Sequence, residues 1–413
     1  MTSRAGNQRN LAVVKTLTYA MFAMFAMTTD SVGLIIPEIV KQFRLTLTAA
    51  GTFQYATMGG IAVAALCLGT LADRLGRRRT IVIGLTIFAI ASFLFAAGRT
   101  FPFFVVLMAL SGLAIGVFKT GALALVGDIS TSTTEHTSIM NTVEGFFSIG
   151  SIVGPAVLVY LLARGVSWQW LYVVAGALCV VLIVMALSVA YPTSAKPADA
   201  PRGERGTMDA VRNPYVLAFS AGLFLYVGVE AAIYVWMPTL LANYRGRATW
   251  LARYGISIFF ALRAAGRFLG AWMLLRWKWQ AAVAILSGAI LLCFALSVAG
   301  GVTWAVYLLP ASGLFMAMIY PTLNSKGISC VAKDQHGAAA GVLLFFTCLS
   351  AVTAPLAMGA LSDVTGQIVY GFWLATGLAA LLFGGLLVNW LTNPTGVVLA
   401  RLDVTDYGEQ SSM

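Results

Sequence analysis

The segment GTLADRLGRRRT, residues 69–80, gathers an aspartate and four arginines around two glycines, and long apolar runs lie on both sides of it. Short loops rich in lysine and arginine remain on the cytoplasmic side of a membrane. Glycine allows helices to approach closely at Gly69 and allows a tight turn at Gly76. The segment therefore predicts a cytoplasmic turn between two membrane-spanning helices.

The composition of the whole chain also indicates a membrane protein. Of its 413 residues, 60% are hydrophobic and 10% are charged, whereas soluble domains carry about 25% charged residues. The net charge of +11 does not predict a nucleic-acid partner, because the basic residues occupy short gaps between apolar runs instead of one soluble face. The five cysteines form no CxxC pair, so we interpret them as small hydrophobic residues.

Apolar runs long enough to cross the hydrocarbon core as helices, about 20 residues each, recur along the chain. The first contains Asp30 and Pro37 and is too long for a cleaved signal peptide, so we interpret it as a span. The runs predict twelve spans, at residues 15–38, 47–71, 80–98, 102–127, 138–163, 168–191, 214–242, 250–275, 279–299, 302–328, 337–361 and 367–391.

The two sets of six spans resemble each other. Landmarks recur about 200 residues apart: Asp30 with Glu230, Pro37 with Pro238, Gly69 with Gly270, His136 with His336, and Gly154-Pro155 with Ala354-Pro355. Parallel six-helix repeats place a solute site near the bilayer midplane between the halves. We predict an N-terminal six-helix bundle at 1–191, a cytoplasmic linker at 192–213, a C-terminal six-helix bundle at 214–392 and a cytoplasmic tail at 393–413.

The distribution of lysine and arginine predicts the orientation. The side that holds both termini carries fifteen of these residues and the opposite side carries seven. By the positive-inside rule both termini are cytoplasmic. We expect a multi-pass protein of the cell membrane, specifically a bacterial inner membrane.

The charged segment at 69–80 also suggests a gate. Asp73 and the neighbouring arginines are expected to bind Asp128, at the inner end of span 4, and the carbonyl end of a neighbouring helix. Such contacts would hold the cytoplasmic face closed, although a loop that only sets topology would need no particular spacing. The predicted cytoplasmic gate comprises Gly69, Asp73, Arg74, Gly76, Arg77 and Asp128.

The pattern G-x-x-x-D-R-x-G-R-R-x between spans 2 and 3 resembles the signature loop of the major facilitator superfamily. The resemblance implies an all-α membrane protein with twelve transmembrane helices in two pseudo-symmetric six-helix bundles. Four segments of the second half resemble the fucose/galactose/glucose:proton symporter family, of the fucose-permease type: GRFLGAWML at 266–274, IYPTL at 319–323, QHGAAAGVLLF at 335–345 and MGALSDVTG at 358–366.

Span 7, FLYVGVEAAIYVWMPTLL, fits the same family, which also carries in span 1 an aspartate tied to proton coupling and sugar binding. The matching residue is Asp30, in TTDSVGLIIPEI. The chain departs from the family in span 4, where Lys119 stands in place of an acidic residue. Direct transfer of the family's coupling mechanism is therefore unsafe.

Ionisable side chains at membrane depth are expensive to insert, so they are functional or paired by default. They are Asp30, Lys119, Glu144, Glu230, Arg263, Arg267 and Lys326. Lys119 and Glu144 lie at similar predicted depth, so they could pair, with Asp30 as a third member. One interpretation of Lys119 is a structural ion pair; the others are that it keeps a carboxylate ionised until a proton or solute arrives, or that it binds an anionic solute.

Arg263 is expected either to pair with Glu230 or to touch the solute, whereas Arg267 belongs to the inner structural network and Lys326 can snorkel to the interface. Asp30, Glu144 and Glu230 are the predicted proton-coupling residues. Residues 226, 230 and 234 share a helix face that offers a carboxylate and aromatic surface to a sugar. The predicted substrate-binding residues are Gln54, Tyr55, Lys119, Asn141, Tyr226, Glu230, Tyr234, Trp236, Arg263 and Asn324, although polar residues within spans also join helices and aromatic residues also pack in the core.

These observations predict a secondary transporter that moves a monosaccharide or a similar small polar solute with a proton by alternating access. The alternatives are a transporter of a small organic anion using Lys119 and Arg263, a drug-efflux protein, and a membrane sensor that transports nothing. The chain lacks a GxxxxGK[ST] motif, a nucleophile with its base and a metal-ligand spacing, so we expect no ATPase, no enzyme, no cofactor and no metal. The expected partners are the solute, protons and the lipid bilayer, with the protein as a monomer.

Overall fold

The computed structural model describes residues 2–68, 75–129, 133–191, 212–331 and 336–399, and within these ranges every regular element is a helix. The chain divides into two compact units, Met1–Ala200 and Pro201–Met413. The predicted linker spans this division, but most of the linker and of the predicted C-terminal tail lies outside the described residues. The exact domain boundaries therefore stay a prediction.

The first unit contains the helices of predicted spans 1–6. They are α1 (Thr2–Thr29) and α2 (Val32–Phe43) in span 1, α3 (Leu47–Ala50) and α4 (Thr52–Cys67) in span 2, α5 (Arg77–Leu94), α6 (Phe101–Ile129), α7 (Thr133–Ala163) and α8 (Gln169–Ser188). A short 3-10 turn, Phe95–Ala97, follows α5.

The second unit contains the helices of predicted spans 7–12. They are α9 (Pro214–Ala231), a π-helical turn (Ala232–Trp236) and α10 (Met237–Leu241) in span 7, α11 (Thr249–Arg276), α12 (Trp279–Ala299), α13 (Val302–Met316) and α14 (Ile319–Ile328) in span 10, α15 (His336–Thr365) and α16 (Val369–Thr392).

Ten helical segments of the described residues are long and apolar enough to cross a membrane. Each of the two remaining predicted spans, spans 2 and 8, nevertheless coincides with helix. In span 2 the continuous helix α4 has only 16 residues. Span 8 is the 28-residue helix α11, in which Arg263 and Arg267 lower the mean hydropathy. The protein is an all-α, multi-pass membrane protein.

Three of the predicted spans are interrupted or distorted. Span 1 breaks at Asp30–Ser31, span 7 widens into the π-helical turn Ala232–Trp236, and span 10 breaks at residues 317–318. Proline lacks the N–H that the carbonyl four residues earlier would accept. Pro238 and Pro321 therefore each deprive the carbonyl four residues earlier of its helical N–H donor, and these carbonyls lie inside the distorted parts of spans 7 and 10. The apolar pattern gave no sign of these irregularities, because it does not report backbone geometry.

The break in span 1 is stabilised by hydroxyl groups. Thr28 and Thr29 donate to the Phe25 carbonyl at 3.0 and 3.2 Å, and Ser31 donates to the Met27 carbonyl at 2.6 Å. Backbone groups in hydrocarbon must find partners within the protein. These hydroxyls supply additional donors where the helix is interrupted, directly beside the Asp30 carboxyl.

Glycines allow α7 to pack closely against α1 near that break. A Cβ atom at Gly150 would collide with the Ala23 carbonyl oxygen, and one at Gly154 would collide with the Met27 carbonyl oxygen. Small residues four apart permit this approach of two helix backbones in a membrane. The spacing brings the face of α7 that carries Ser151 against Asp30.

Three cysteines of the described residues, Cys179, Cys293 and Cys330, are buried, and Cys348 is half-buried. Cys330 follows the last turn of α14, and burial raises the pKa of its thiol to about 11, with Lys326 acting in the opposite direction. A thiol of this kind stays protonated near neutral pH, and the thiolate is the reactive form. No group of three metal-ligating side chains occurs in the part of the chain that the structure describes.

Candidate functional site

Asp30 lies at the break between α1 and α2 and accepts a hydrogen bond from the Ser151 hydroxyl of α7. Ser151 is buried, with 1% of its surface exposed. Its hydroxyl also lies 3.0 Å from the Phe147 carbonyl oxygen, one turn earlier on α7. The carboxyl group of Asp30 is thus tied to a second helix by a neutral hydroxyl.

Lys119 does not make the predicted ion pair with Glu144 or Asp30. Its ammonium lies 5.5 Å from the centre of the Phe147 ring on α7, a cation–π contact. Within the described ranges no carboxylate lies within salt-bridge distance of Lys119. Glu144 is exposed on α7. Equal depth along two helices did not bring the side chains together, because pairing also requires that they face each other.

Glu230 is the centre of a buried cluster in the second unit. Arg263 of α11 approaches it with an Nη1–Oε1 distance of 2.5 Å. The Tyr226 hydroxyl lies 3.3 Å from the same carboxylate oxygen and 3.0 Å from the Met316 carbonyl oxygen. The Tyr320 ring lies 6.2 Å from that of Tyr226. Of the two roles considered for Arg263, the structure contains the ion pair with Glu230.

The Met316 carbonyl that Tyr226 reaches is at the last residue of α13, where span 10 is interrupted. Carbonyls in the last turn of a helix have no partner within that helix. The Tyr226 hydroxyl, fully buried, therefore helps to satisfy the backbone at the break. The cluster as a whole links three spans, because Glu230 and Tyr226 belong to span 7, Met316 to span 10 and Arg263 to span 8.

The π-helical turn that follows Glu230 alters the predicted aromatic face. The spacing of residues 226, 230 and 234 assumed a regular α-helix, but Tyr234 lies inside the wider turn Ala232–Trp236 and departs from the row. Trp236 is 2% exposed and donates from Nε1 to the Pro355 carbonyl at 3.1 Å. π-helical turns occur frequently at functional sites. Trp236 here ties the turn to α15.

The other polar residues predicted to bind solute are dispersed. Gln54 on α4 is completely buried, and neither polar atom of its amide has a hydrogen-bond partner among the described residues. Tyr55 is half-buried beside it, and Asn324 is half-buried on α14. The side chain of Asn141 lies outside the described residues. The substrate-binding role of all four residues stays a prediction.

At the end of the first unit that is predicted to be cytoplasmic, the structure brings together two residues of the predicted gate. Arg77, at the start of α5, donates from Nε to Asp128 Oδ2 at 2.8 Å. Arg78 donates to the Leu187 carbonyl near the end of α8. Gly76 precedes α5 with φ of 85°, a conformation that favours glycine. Gly69, Asp73 and Arg74 lie outside the described residues, and the gating role of the set stays a prediction.

Sequence reasoning missed three contributors to these clusters. Ser151 and Phe147 connect Asp30 and Lys119 to α7, and the Met316 carbonyl anchors Tyr226. A signal for Ser151 was present, since it lies inside the stripe Gly150-x-x-x-Gly154 that marks a close helix contact. No side-chain pattern identifies a backbone carbonyl such as that of Met316.

Comparison with known proteins places the chain among transporters. Residues 18–355 match the family model described as Major Facilitator Superfamily. The chain is 24% identical over 383 residues to a glucose/galactose transporter of Brucella abortus biovar 1 (strain 9-941), which covers 88% of this chain and 91% of the relative. It is 26% identical over 350 residues to the quinolone resistance protein NorA of Staphylococcus aureus (strain MSSA476), covering 81% of this chain and 86% of the relative.

Solved structures share the fold. The nucleoside transporter NupG superposes with a TM-score of 0.74 at 16% identity, covering 92% of this chain and 99% of that one. The transporter FucP, in its outward conformation, superposes with a TM-score of 0.65 at 19% identity, covering 91% and 98%. At such low identity these structures establish the fold alone.

Proposed function

Because the chain belongs to the Major Facilitator Superfamily, we propose that it carries a monosaccharide or a similar small polar solute across the membrane together with a proton. As a member of this family it is a transporter of small solutes and not an enzyme. The resemblance read from the signature loop is thus confirmed at the level of the family. The coupled proton, the sugar and the direction of transport are the proposed parts.

The observation that carries the proposal is the placement of two carboxyl groups at corresponding distortions of the repeat. Asp30 lies at the break of span 1, and Glu230 directly precedes the π-helical turn of span 7. Interrupted helices at matching positions of two repeats are the best structural pointer to a transporter's binding site. Ionisable residues within spans mark proton relays and solute pathways. Each carboxyl group also lies beside a hydroxyl group, whose hydrogen bond can change when the carboxyl group gains or loses a proton.

A sugar is supported by the surroundings of Glu230. The half-buried Tyr320 provides ring surface next to Tyr226, which lies beside the Glu230 carboxylate. Hydroxylated solutes need planar hydrogen-bonding groups and an apolar surface for their C–H face. The name of the glucose/galactose transporter from Brucella abortus points to the same solute class. We propose that the protein imports its solute into a bacterial cell. We also propose that it acts as a monomer and that both of its termini lie in the cytoplasm.

The experiment uses the purified protein in proteoliposomes with a defined internal and external pH. Uptake of radiolabelled neutral monosaccharides is measured with an inward proton gradient, without a gradient, and with a protonophore. Accumulation that requires the gradient and is abolished by Asp30→Asn supports the proposal. Accumulation of a sugar that is unaffected by the protonophore and by Asp30→Asn would exclude proton coupling through Asp30.

One alternative is favoured by a specific observation. Lys119 has an aromatic ring, but no carboxylate of the described residues, against its ammonium, so a small organic anion is a possible partner for it. The same vesicles are tested with small carboxylates and with quinolones. Carboxylate uptake that is lost in Lys119→Gln, without any sugar uptake, would favour the anion transporter, and extrusion of quinolones alone would favour efflux.

A further inference from the structure

The Ser151 hydroxyl has one hydrogen and two acceptors within reach. One acceptor is the Asp30 carboxyl group, across the α1–α7 contact, and the other is the Phe147 carbonyl oxygen at 3.0 Å on its own helix. A serine hydroxyl donates one hydrogen and accepts through two lone pairs. Only one of the two acceptors can receive that hydrogen in full at any moment.

The state of Asp30 decides between the two acceptors. A carboxylate is the stronger acceptor, and hydrogen bonds to ionised groups are about twice as strong as those between neutral groups. With Asp30 ionised, the Ser151 hydrogen therefore belongs to the carboxylate. When Asp30 carries a proton, its own O–H can donate to the Ser151 oxygen, and the Ser151 hydrogen returns to the Phe147 carbonyl.

The helix contact holds this geometry in place. Gly150 and Gly154 flank Ser151 and allow no Cβ atom against the Ala23 and Met27 carbonyls of α1. Ser151 is 1% exposed, so bulk water does not compete for its hydroxyl. An unpaired polar group at this depth is unfavourable. The hydroxyl is therefore confined to exchanging its hydrogen between Asp30 and the backbone of α7.

The same arrangement occurs independently in the second unit. The Tyr226 hydroxyl lies between the Glu230 carboxylate and a main-chain carbonyl, that of Met316, at 3.3 and 3.0 Å. In both units a buried hydroxyl lies between a carboxyl group at a distorted span and a backbone carbonyl oxygen. The carbonyl is one turn earlier on the same helix for Ser151, and on a different span for Tyr226. The recurrence supports a role beyond helix packing.

We propose that Ser151 is a positioning residue for the proton on Asp30, exchanging its hydrogen bond between the Asp30 carboxylate and the Phe147 carbonyl as that proton binds and leaves. The proposal rests on the proposed function in taking Asp30 as the group that carries the coupled proton. Phe147 contributes the carbonyl that accepts from Ser151, and its ring contacts the Lys119 ammonium of span 4. The exchange of the hydrogen bond therefore links protonation of Asp30 to the residue of α7 that contacts Lys119.

The effects of other charged groups on the surrounding helices must be separated from that of Ser151 in any pH experiment. The charged side chains on α1, α2 and the described parts of the helices packed against them are Lys15, Glu38, Lys41, Lys119, Asp128 and Glu144. A change that Ser151→Ala causes through Asp30 disappears when Asp30 is replaced. A change that acts through one of the other groups persists in the Asp30→Asn background.

The test is an infrared pH titration of the purified protein, following the carbonyl-stretch band of protonated carboxylic acids. The band that is absent in Asp30→Asn is assigned to Asp30. In Ser151→Ala we expect its midpoint to move towards higher pH by about one unit, a tenfold change in the protonation equilibrium, because the ionised form loses the Ser151 hydroxyl as a donor. The matched control is Ser148→Ala, on the same helix, whose hydroxyl donates to the Glu144 carbonyl at 2.9 Å and contacts no carboxylate.

Ser151→Thr keeps a hydroxyl and is expected to restore the wild-type midpoint. A midpoint that is equal in wild type, Ser151→Ala and Ser148→Ala would overturn the proposal. It would also be overturned if adding Ser151→Ala to Asp30→Asn changed the remaining carboxyl bands as much as Ser151→Ala changes the spectrum of the wild type. The titration needs no solute, so it can fail while proton-coupled uptake succeeds. Conversely, uptake without a proton gradient would refute the proposed function and leave the role of Ser151 at Asp30 decided by the titration.

Discussion

Arg263 and Glu230 form an ion pair inside the second unit, with 23% and 10% of their side-chain surfaces exposed. The pair joins span 8 to span 7 beside the π-helical turn. A buried ion pair contributes little over an apolar pair of the same shape, yet removing one partner leaves an uncompensated charge. Arg263 is therefore first a counter-ion for Glu230, and an anionic solute would have to compete with that carboxylate for it.

Arg263→Met is expected to lower the free energy of unfolding by about 3–5 kcal/mol, because Glu230 loses its counter-ion. The double variant Arg263→Met with Glu230→Gln removes both charges and should regain most of that loss. Thermal unfolding in detergent measures both effects. Arg253→Met, at an exposed position of the same helix, is the control and should leave Tm unchanged. Losses that simply add in the double variant would show that the two residues do not interact.

Tyr226→Phe should lower the free energy of unfolding by about 1–3 kcal/mol, because the Met316 carbonyl loses a donor in a buried position. The ring is retained, so the packing against Tyr320 remains. Tyr370→Phe, where the tyrosine is 42% exposed, is the matched control. Equal Tm values for the two variants would mean that the Tyr226 hydroxyl does not hold the break of span 10.

Gly154→Ala is expected to destabilise the first unit by about 1–3 kcal/mol, the usual effect of overpacking. The added Cβ would meet backbone atoms of Met27, which cannot move aside as a flexible side chain would. Gly145→Ala on the same helix adds a Cβ with nothing within 4 Å and should be neutral or slightly stabilising. If both variants unfold at the same temperature, the α1–α7 contact is looser than the structure indicates.

Arg77→Ala should reduce stability by roughly 1–3 kcal/mol, since Asp128 loses a charge-assisted hydrogen bond at a largely buried position. Arg79→Ala removes an equal charge from an exposed position of the same helix turn and serves as the control. If the pair also gates the cytoplasmic face, Arg77→Ala alone should increase labelling of a cysteine introduced on the inner face. Identical labelling of the two variants would leave the pair a structural contact only.

The predicted spans followed from one physical requirement, and that part of the prediction succeeded. Lipid offers no hydrogen bonds to the backbone, so each crossing needs a long apolar helix, which leaves a strong signal in sequence. The signal is weaker where a span carries charge, as α11 does with Arg263 and Arg267. It also failed to show where a helix is interrupted, since Asp30–Ser31 and residues 317–318 lie within apolar runs.

The candidate site was predicted as a set of residue types and not as a set of contacts. Asp30, Glu230 and Arg263 stood out because ionisable groups are rare in spans. Their partners did not, since Ser151 is an ordinary residue on another helix and the Met316 carbonyl has no side-chain signature. Lys119 illustrates the limit: counting residues gave its depth along the helix, but its ammonium contacts the Phe147 ring and lies beyond salt-bridge distance of Glu144.

By itself the amino-acid sequence determined that the chain is a two-unit, all-helical membrane protein with few charges inside its spans. Lipid requires each crossing to be a long apolar helix, and this requirement is visible in each stretch of sequence separately. Only the tertiary structure decided which hydroxyl meets Asp30, which cation balances Glu230 and which arginine holds Asp128. These partners lie 33 to 121 residues apart, and no local pattern encodes their distance. These contacts depend on how closely the helices approach and which faces they turn to one another. Glycine contacts and helix breaks set that geometry only once the whole unit is packed.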